Sequence, residues 1–238
     1  MSRFFCVIII LFANFFGSCL YCNNIGGQIN ILSNISEQDT IKDKQILYNG
    51  SLWTNMYHRI EGDQFLFSAL FLTGTISING KIFKNVRIKY DIYSDEIITP
   101  LNIEEILQLN KEMVDSFTIS FEDKVYRFEN IRNDTLKDFS GYANLLYSGK
   151  SSFYVKYKKS ISPAITVKSD GDFNQDHMIY FVKDKMVYPI SGTKTLFKVL
   201  NADKDQLRNF IRKNRLKISK KIPESFVPVI RFCDKISQ

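Results

Sequence analysis

Three carboxylates lie close together in the sequence, at Asp91, Asp95 and Glu96. Two carboxylates can cleave a glycosidic bond when one acts as the acid and the other as the base or nucleophile. Carboxylates this near to one another at the end of a strand are more often turn residues, and no pattern in the chain places another one opposite them. We therefore predict a non-catalytic protein and keep a hydrolase with a carboxylate site here as the alternative.

Two histidines, His58 and His177, are the other residues with obvious chemistry. Nucleophilic catalysis needs a serine or cysteine beside a base, and the sequence has no Gly-x-Ser-x-Gly motif. Zinc ligands are typically spaced as His-x-x-x-His or Cys-x-x-Cys, and neither spacing occurs after the N-terminal segment. We expect both histidines at the surface or at a sheet edge, and we predict neither a metal nor a cofactor.

An acidic segment at residues 170–176 resembles the start of a calcium-binding loop, with oxygen-bearing side chains at alternate positions. The pattern then fails, because Gln175 stands where glycine is needed and Phe181 where the bidentate glutamate belongs. We interpret the segment as a solvated loop in front of a strand that begins at Met178.

Positive charge is concentrated near the C-terminus. Residues 194–221 contain ten lysines and arginines and two aspartates, whereas residues 23–193 contain nineteen basic and twenty-one acidic residues. A basic surface attracts polyanions, although a solvated helix face is the simpler interpretation. Because we expect export, an anionic lipid, a lipopolysaccharide or an acidic partner fits better than nucleic acid.

Helical spacing places three arginines of this segment, Arg208, Arg212 and Arg215, on one stripe that overlaps the edge of the apolar face. We therefore expect these arginines to flank a core contact and the lysines to be more exposed. The residues predicted to contact an anion are Lys213, Lys217, Lys220 and Lys221.

The chain that must position these residues is organised around residues 74–93, which we interpret as a β-hairpin. Asn79-Gly80 is the typical sequence of a two-residue type I′ turn, in which both residues need a positive φ. The short turn fixes the register and predicts that Ile76 pairs with Phe83.

The hairpin has an irregularity and a second copy. The alternation of apolar residues changes phase after residue 83, which predicts a β-bulge at Lys84 or Asn85. Residues 75–84 also align with residues 118–127, at an offset of 43 positions. Similar turns can converge on similar residues, and we favour that explanation over duplication.

The predicted fold class is α+β and mainly β. Residues 46–190 are rich in β-branched and aromatic residues between turn sequences, with strands expected at residues 52–60 and 64–71 among others. This pattern predicts an antiparallel meander that forms a sandwich or a partly closed barrel. Residues 102–111 fit a short helix or a strand, and residues 191–238 predict two or three helices packed on the β domain.

Two of these helices have recognisable first turns. Asp203 precedes an amphipathic run in an Asp-x-x-Gln pattern that resembles a capping box. Another helix is expected to begin at Ser225, with Pro228 in its first turn, where a missing N–H is tolerated. Cys233 has no partner that the sequence identifies, so we do not expect a disulfide framework.

The N-terminus has the features of a signal peptide over residues 1–22, with Arg3 ahead of an apolar run and small residues after it. Cleavage is expected after Cys19 or Cys22, and lipidation of Cys19 is the alternative. Residues 23–45 indicate a linker or loose lead-in. No later stretch is long and apolar enough to span a membrane, so we expect an exported protein in the periplasm or at the cell surface.

Several short motifs together resemble a known group of proteins. The motifs are Tyr-Asn-Gly at residues 48–50, a Gly-x-x-Phe segment at residues 62–65, and the hairpin with the Tyr-Asp segment that follows it, over residues 74–100. They are similar to an uncharacterised family of secreted, signal-peptide-bearing proteins of Bacteroidota, over most of residues 46–236. The resemblance implies an exported bacterial protein and provides no activity or catalytic residues to carry over. The predicted function is an envelope protein that binds a partner, a glycan or an anionic surface.

Overall fold

The computed structural model describes residues 45–132, 136–163 and 170–236. Strands are the main regular structure of the described chain and helices follow them, as predicted. The strands are β1 (Gly50–Leu52), β2 (Ile60–Glu61), β3 (Leu72–Ile78), β4 (Lys81–Asp91), β5 (Glu96–Pro100), β6 (Ile106–Leu109), β7 (Val114–Phe121), β8 (Lys124–Ile131), β9 (Gly141–Ser148), β10 (Ser152–Pro163), β11 (Gly171–Lys183) and β12 (Met186–Pro189). The α-helices are α1 (Thr193–Leu200), α2 (Lys204–Lys213) and α3 (Val227–Ile236).

These strands form one mixed sheet in the order β1-β6-β5-β4-β3-β7-β8-β9-β10-β11-β12. Only the short β2 strand lies outside this path, and its pairing with β11 is parallel. The path has two ends, β1 and β12, so the sheet is open. Residues 102–111, which fitted either element, contribute strand β6.

The central hairpin has the predicted register. Ile76 pairs with Phe83 across β3 and β4. The turn residues Asn79 and Gly80 have φ values of 49° and 79°, as a type I′ turn requires. The register then shifts, and Asn85 has a φ of 56°, so the predicted bulge is confirmed.

The second copy of the hairpin is β7 and β8, in which Phe117 pairs with Phe128 as the alignment implies. The two copies also pair with each other through β3 and β7, and Thr75 lies opposite Thr118 with their Oγ1 atoms 2.9 Å apart. These threonines are equivalent positions of the two copies. The hairpins are therefore related by a local twofold axis that passes between them.

Two predicted strands, at residues 52–60 and 64–71, are wrong for most of their length. The chain instead makes local turns in which side chains take up backbone N–H groups. Asn55 accepts the N–H two residues later at 2.9 Å, and Asp63 does the same at 2.7 Å. Such turns compete with strand pairing, and they leave only the short strands β1 and β2 in this part of the chain.

The core has separate clusters under the two halves of the sheet. Under the central strands, Tyr90 makes edge contacts with Phe117, Phe128 and Tyr142 at centroid distances of 5.2 to 5.7 Å. Under β10 and β11, the helices supply the other side of the cluster. Its buried members are Phe153, Val155, Ile179, Phe181, Ile190, Leu196, Leu200, Leu207, Phe226, Val229, Ile230 and Cys233.

The helices begin at or within two residues of the predicted positions. The Asp203 side chain caps α2 by accepting the N–H groups of Asp205 and Gln206. A 3-10 turn at Pro223–Phe226 leads into α3, whose first turn contains Pro228. A further tie comes from Asp234 near the end of α3, which holds Ser151 in the β9–β10 turn.

Candidate functional site

The turn between β4 and β5 brings the three carboxylates into different environments. The Oδ1 atom of Asp91 accepts the backbone N–H groups of Tyr93 and Ser94, each at 2.9 Å. Burial raises the pKa of Asp91, and these two hydrogen bonds oppose the rise. Asp91 is therefore a turn residue, which is the simpler of the two roles considered for it.

Asp95 is the centre of a polar cluster and has a positive φ of 61°. Its carboxylate accepts hydrogen bonds from the hydroxyl of Tyr90 at 2.6 Å and from Nζ of Lys111 at 2.8 Å. Nζ of Lys156 and the backbone N–H of Tyr142 lie at 3.3 Å. Two ammonium groups and two further donors saturate this carboxylate, so it is poorly suited to act as a base or nucleophile.

Lys156 and the backbone at Gly141 lie directly against the Asp95 carboxylate. Lys156 is only 9% exposed, and its Nζ also donates to the carbonyl of Ser140. Burial lowers the pKa of Lys156, and the charge of Asp95 opposes that change. Gly141 has a φ of 93°, and a Cβ atom on it would overlap the Asp95 carboxylate. Any side chain here would displace the carboxylate, so glycine fits this position best.

Glu96, the third carboxylate, is half-buried at the start of β5, and its side chain makes no hydrogen bond within the described ranges. Burial raises the pKa of Glu96 to about 7, the charges of Asp95 and Asp91 add to the rise, and Lys111 opposes it. At neutral pH this side chain can both donate and accept a hydrogen bond. Of the three carboxylates, it is the one whose oxygens are not already held by donors.

Open clefts lie beside this cluster. One, of about 390 Å³, is lined by Glu96 and Lys111 together with residues of β1 and β6. Another, of about 460 Å³, lies on the side of Lys111 that faces Asn130 and Arg132. The hydroxyl of Tyr142 is buried, and no partner for it lies within the described chain.

The four predicted lysines lie in one short segment. Lys213 is the last residue of α2, and Lys217, Lys220 and Lys221 follow it. All four side chains are exposed, and none forms a salt bridge with a residue that the structure describes. Their charges are therefore available to an external anion.

The arginines of this region are not distinguished from the lysines by burial, which corrects our expectation. Arg208, Arg212 and Arg215 are all exposed. The helical stripe is incomplete because α2 ends at Lys213, and Arg215 has a φ of 51° beyond that end. Among the described residues, Arg208 alone of the three reaches an acidic side chain, with Asp205 at 3.5 Å.

Two of the lysines, Lys220 and Lys221, lie at the corner of a tight turn. The N–H of Ile222 donates to the carbonyl of Ser219 at 3.0 Å, which places Lys220 and Lys221 at the corner. The Ser225 hydroxyl lies 2.6 Å from the Ile222 carbonyl, and His177 Nε2 lies 2.8 Å from the Lys220 carbonyl. These contacts hold the turn, while the Ile222 side chain remains 58% exposed.

The two histidines and the acidic segment lie on or beside strands β2 and β11. His58 is exposed in the loop before β2, and His177 contacts the lysine turn. Residues 170–176 were predicted as a loop, but β11 already begins at Gly171 and pairs with β10 from Gly171 to Val182. In an extended strand, alternate residues such as Asp172, Asn174 and Asp176 share one face but are spread along it at about 7 Å intervals. Their oxygens therefore do not wrap around one ion as a calcium loop would.

Sequence reasoning missed Lys111, Lys156 and Gly141, which surround Asp95. They lie 16, 61 and 46 positions from it in the sequence, so no spacing connects them. A weak signal was present in β10, where Lys156 interrupts a run of apolar residues. A lysine in such a run needs a partner, and only the fold identifies which one.

No helix in the described part of the chain is long and apolar enough to cross a membrane. Residues 1–22, with the cleavage candidates Cys19 and Cys22, lie outside the described residues. The chain matches no protein-family model, and comparisons with curated proteins and with solved structures find no match.

Proposed function

We propose that this chain is an exported, non-catalytic envelope protein that binds an anionic surface through Lys213, Lys217, Lys220 and Lys221. The observation that carries the proposal is that all four side chains are exposed and unpaired with any acid in the described ranges. They belong to a segment, residues 194–221, with a net charge of +8. Its two aspartates are already used, one as a helix cap and one beside Arg208.

An anionic membrane is the surface that best fits the shape of this region. Each basic residue near such a membrane contributes about 1 kcal/mol at physiological salt. The exposed Ile222 follows the two lysines of the tight turn, and an apolar side chain there can enter the headgroup layer while the ammonium groups contact phosphates. Binding should therefore be salt-sensitive and reversible.

The carboxylates support a non-catalytic role. Glycosidases need one free acid and a second free carboxylate. Asp91 is held by backbone amides and Asp95 by two lysines and a tyrosine. The alternative, a hydrolase, would rest on Glu96 alone; release of a chromophore from aryl glycosides that Glu96→Gln abolishes would establish it.

The test replaces the four lysines with glutamine and measures cosedimentation with vesicles that contain phosphatidylglycerol. We expect the quadruple variant to lose retention at low salt and to keep its melting temperature, since no described contact depends on these ammonium groups. A matched control replaces Lys84, Lys124, Lys158 and Lys185, which are exposed elsewhere, and makes the same change in net charge.

The control variant should stay bound. If both variants lose retention equally, net charge rather than this surface is responsible, and the proposal is wrong. Absence of binding by the unmodified protein at low salt would also contradict it.

A further inference from the structure

One face of the strands β1, β6 and β5 carries a group of polar side chains beside the polar cluster. Ser51 on β1 lies opposite Gln108 on β6, which in turn lies opposite Ile98 on β5. Glu96 is two residues before Ile98, so it belongs to the same face. The fold therefore places Ser51, Gln108 and Glu96 on one face of three neighbouring strands, with the buried Ile98 directly opposite Gln108.

These side chains line the open cleft of about 390 Å³, together with Asn49, Asn110 and Lys111. That volume lies within the range of small-molecule sites. The side chains of Ser51, Gln108 and Glu96 form no hydrogen bonds within the described ranges. The Oδ1 atom of Asn110 accepts the Glu112 N–H at 3.1 Å, which leaves the amide NH₂ group of Asn110 as a donor.

The charges around the cleft indicate which class of ligand fits. The cleft is lined by groups of both signs, the Glu96 carboxyl and the Lys111 ammonium, so neither an anion nor a cation is favoured. Amides and a hydroxyl offer donors and acceptors side by side. A neutral molecule with many hydroxyl groups can use all of them.

We propose that this cleft binds a neutral saccharide, with Glu96 and Gln108 as the central hydrogen-bonding residues. The partly protonated state of Glu96 suits this role, because a sugar hydroxyl can serve as donor or as acceptor to it. The cleft shares no residue with the group Lys213, Lys217, Lys220 and Lys221. Failure of these lysines to bind an anion would therefore not contradict saccharide binding in the cleft.

The experiment titrates the folded protein with glucose, galactose, mannose, N-acetylglucosamine and cellobiose at millimolar concentrations, and follows binding by saturation-transfer NMR and calorimetry. We expect saturable binding of at least one of these sugars. Glu96→Ala and Gln108→Ala should each weaken it about tenfold through lost hydrogen bonds. Glu96→Gln should recover part of the affinity, because an amide also donates and accepts.

The matched control is Glu104→Ala, which removes an exposed glutamate from the neighbouring loop and should leave binding unchanged. Circular dichroism of each variant shows whether the fold is kept. The proposal is overturned if none of these sugars binds saturably, or if folded Glu96→Ala and Gln108→Ala proteins bind as tightly as the unmodified chain.

Discussion

Gly141 lies where the backbone comes closest to the Asp95 carboxylate, and this contact can be tested. An alanine at position 141 would have to adopt a positive φ and would displace the carboxylate from Lys156. We expect Gly141→Ala to lower the free energy of unfolding by about 3 kcal/mol, from the strained backbone and the disturbed ion pair. Urea denaturation measures it.

Gly80→Ala is the matched control, because Gly80 also has a positive φ but no atom within 4 Å of the added methyl group. It should cost only about 1 kcal/mol. Equal losses in the two variants would mean that the contact with Asp95 contributes nothing beyond the backbone conformation.

Glu96 should make the stability of the protein depend on pH. Its pKa rises from an ordinary 4.5 to about 7 in the folded protein, so the folded state binds more protons than the unfolded state between these values. Stability from this group is complete below pH 4.5 and is lost as pH rises to 7. Because Glu96 is partly exposed, we expect a loss of only about 1–2 kcal/mol.

Glu96→Gln should remove this part of the pH dependence and should be more stable than the unmodified protein at pH 8. Chemical denaturation at pH 5 and pH 8 measures both proteins. If the free energy of unfolding of Glu96→Gln falls between pH 5 and pH 8 by as much as that of the unmodified protein, another group is responsible.

At the level of single residues, the sequence predicted the role of a side chain when its partners are close to it in the chain. Asp91 is a turn residue because its partners are two and three positions away. The ion pairs of Asp95 could not be predicted, because Lys111 and Lys156 reach it only after β6 and β10 have taken their places in the sheet.

The hairpins were predictable for the same reason. A two-residue turn with a positive φ at both positions determines the register of the strands on both sides. The sequence Asn79-Gly80 predicts such a turn. The segment from residue 52 to 71 was misread because its β-branched and aromatic residues favour strands, whereas Asn55 and Asp63 divert the backbone into turns.

The contact between α3 and the sheet can be tested at Asp234. Its carboxylate accepts the N–H and the hydroxyl of Ser151, each at 3.0 Å, and Ser151 is buried. Asp234→Ala leaves both donors without a partner, and we expect it to lower the free energy of unfolding by about 2–3 kcal/mol in urea.

Ser151→Ala removes only the hydroxyl and should cost about 1 kcal/mol. A loss for Asp234→Ala no larger than for Ser151→Ala would mean that the backbone N–H finds another partner, and that this tie between helix and sheet is weak.

At the scale of the whole molecule, the order of the strands was beyond the sequence. Turns predict which strands follow one another, but the pairings of β1 with β6 and of β3 with β7 join strands that are far apart in the chain. Such pairings depend on which apolar faces can be buried together. Because many strands carry similar apolar side chains, the sequence does not determine which of them pair.

The proposed export concerns the whole molecule, and it has a direct test. We expect the protein purified from a bacterial envelope fraction to begin at Leu20 or Asn23, after cleavage at Cys19 or Cys22. Lipidation of Cys19 would instead give a chain that begins at Cys19 with added acyl mass. Intact-mass spectrometry distinguishes these products, and a full-length mass in the envelope fraction would contradict export with cleavage.

The pairing of β3 with β7 has a consequence for assembly. The contact about Thr75 and Thr118 is isologous, like that of a symmetric dimer, although both halves belong to one chain. β7 pairs with one edge of β3. Because β7 and β3 have similar sequences here, β3 of another molecule could pair with the same edge. During synthesis the first hairpin is complete before the second exists, and in that interval two nascent chains can join through it and exchange hairpins.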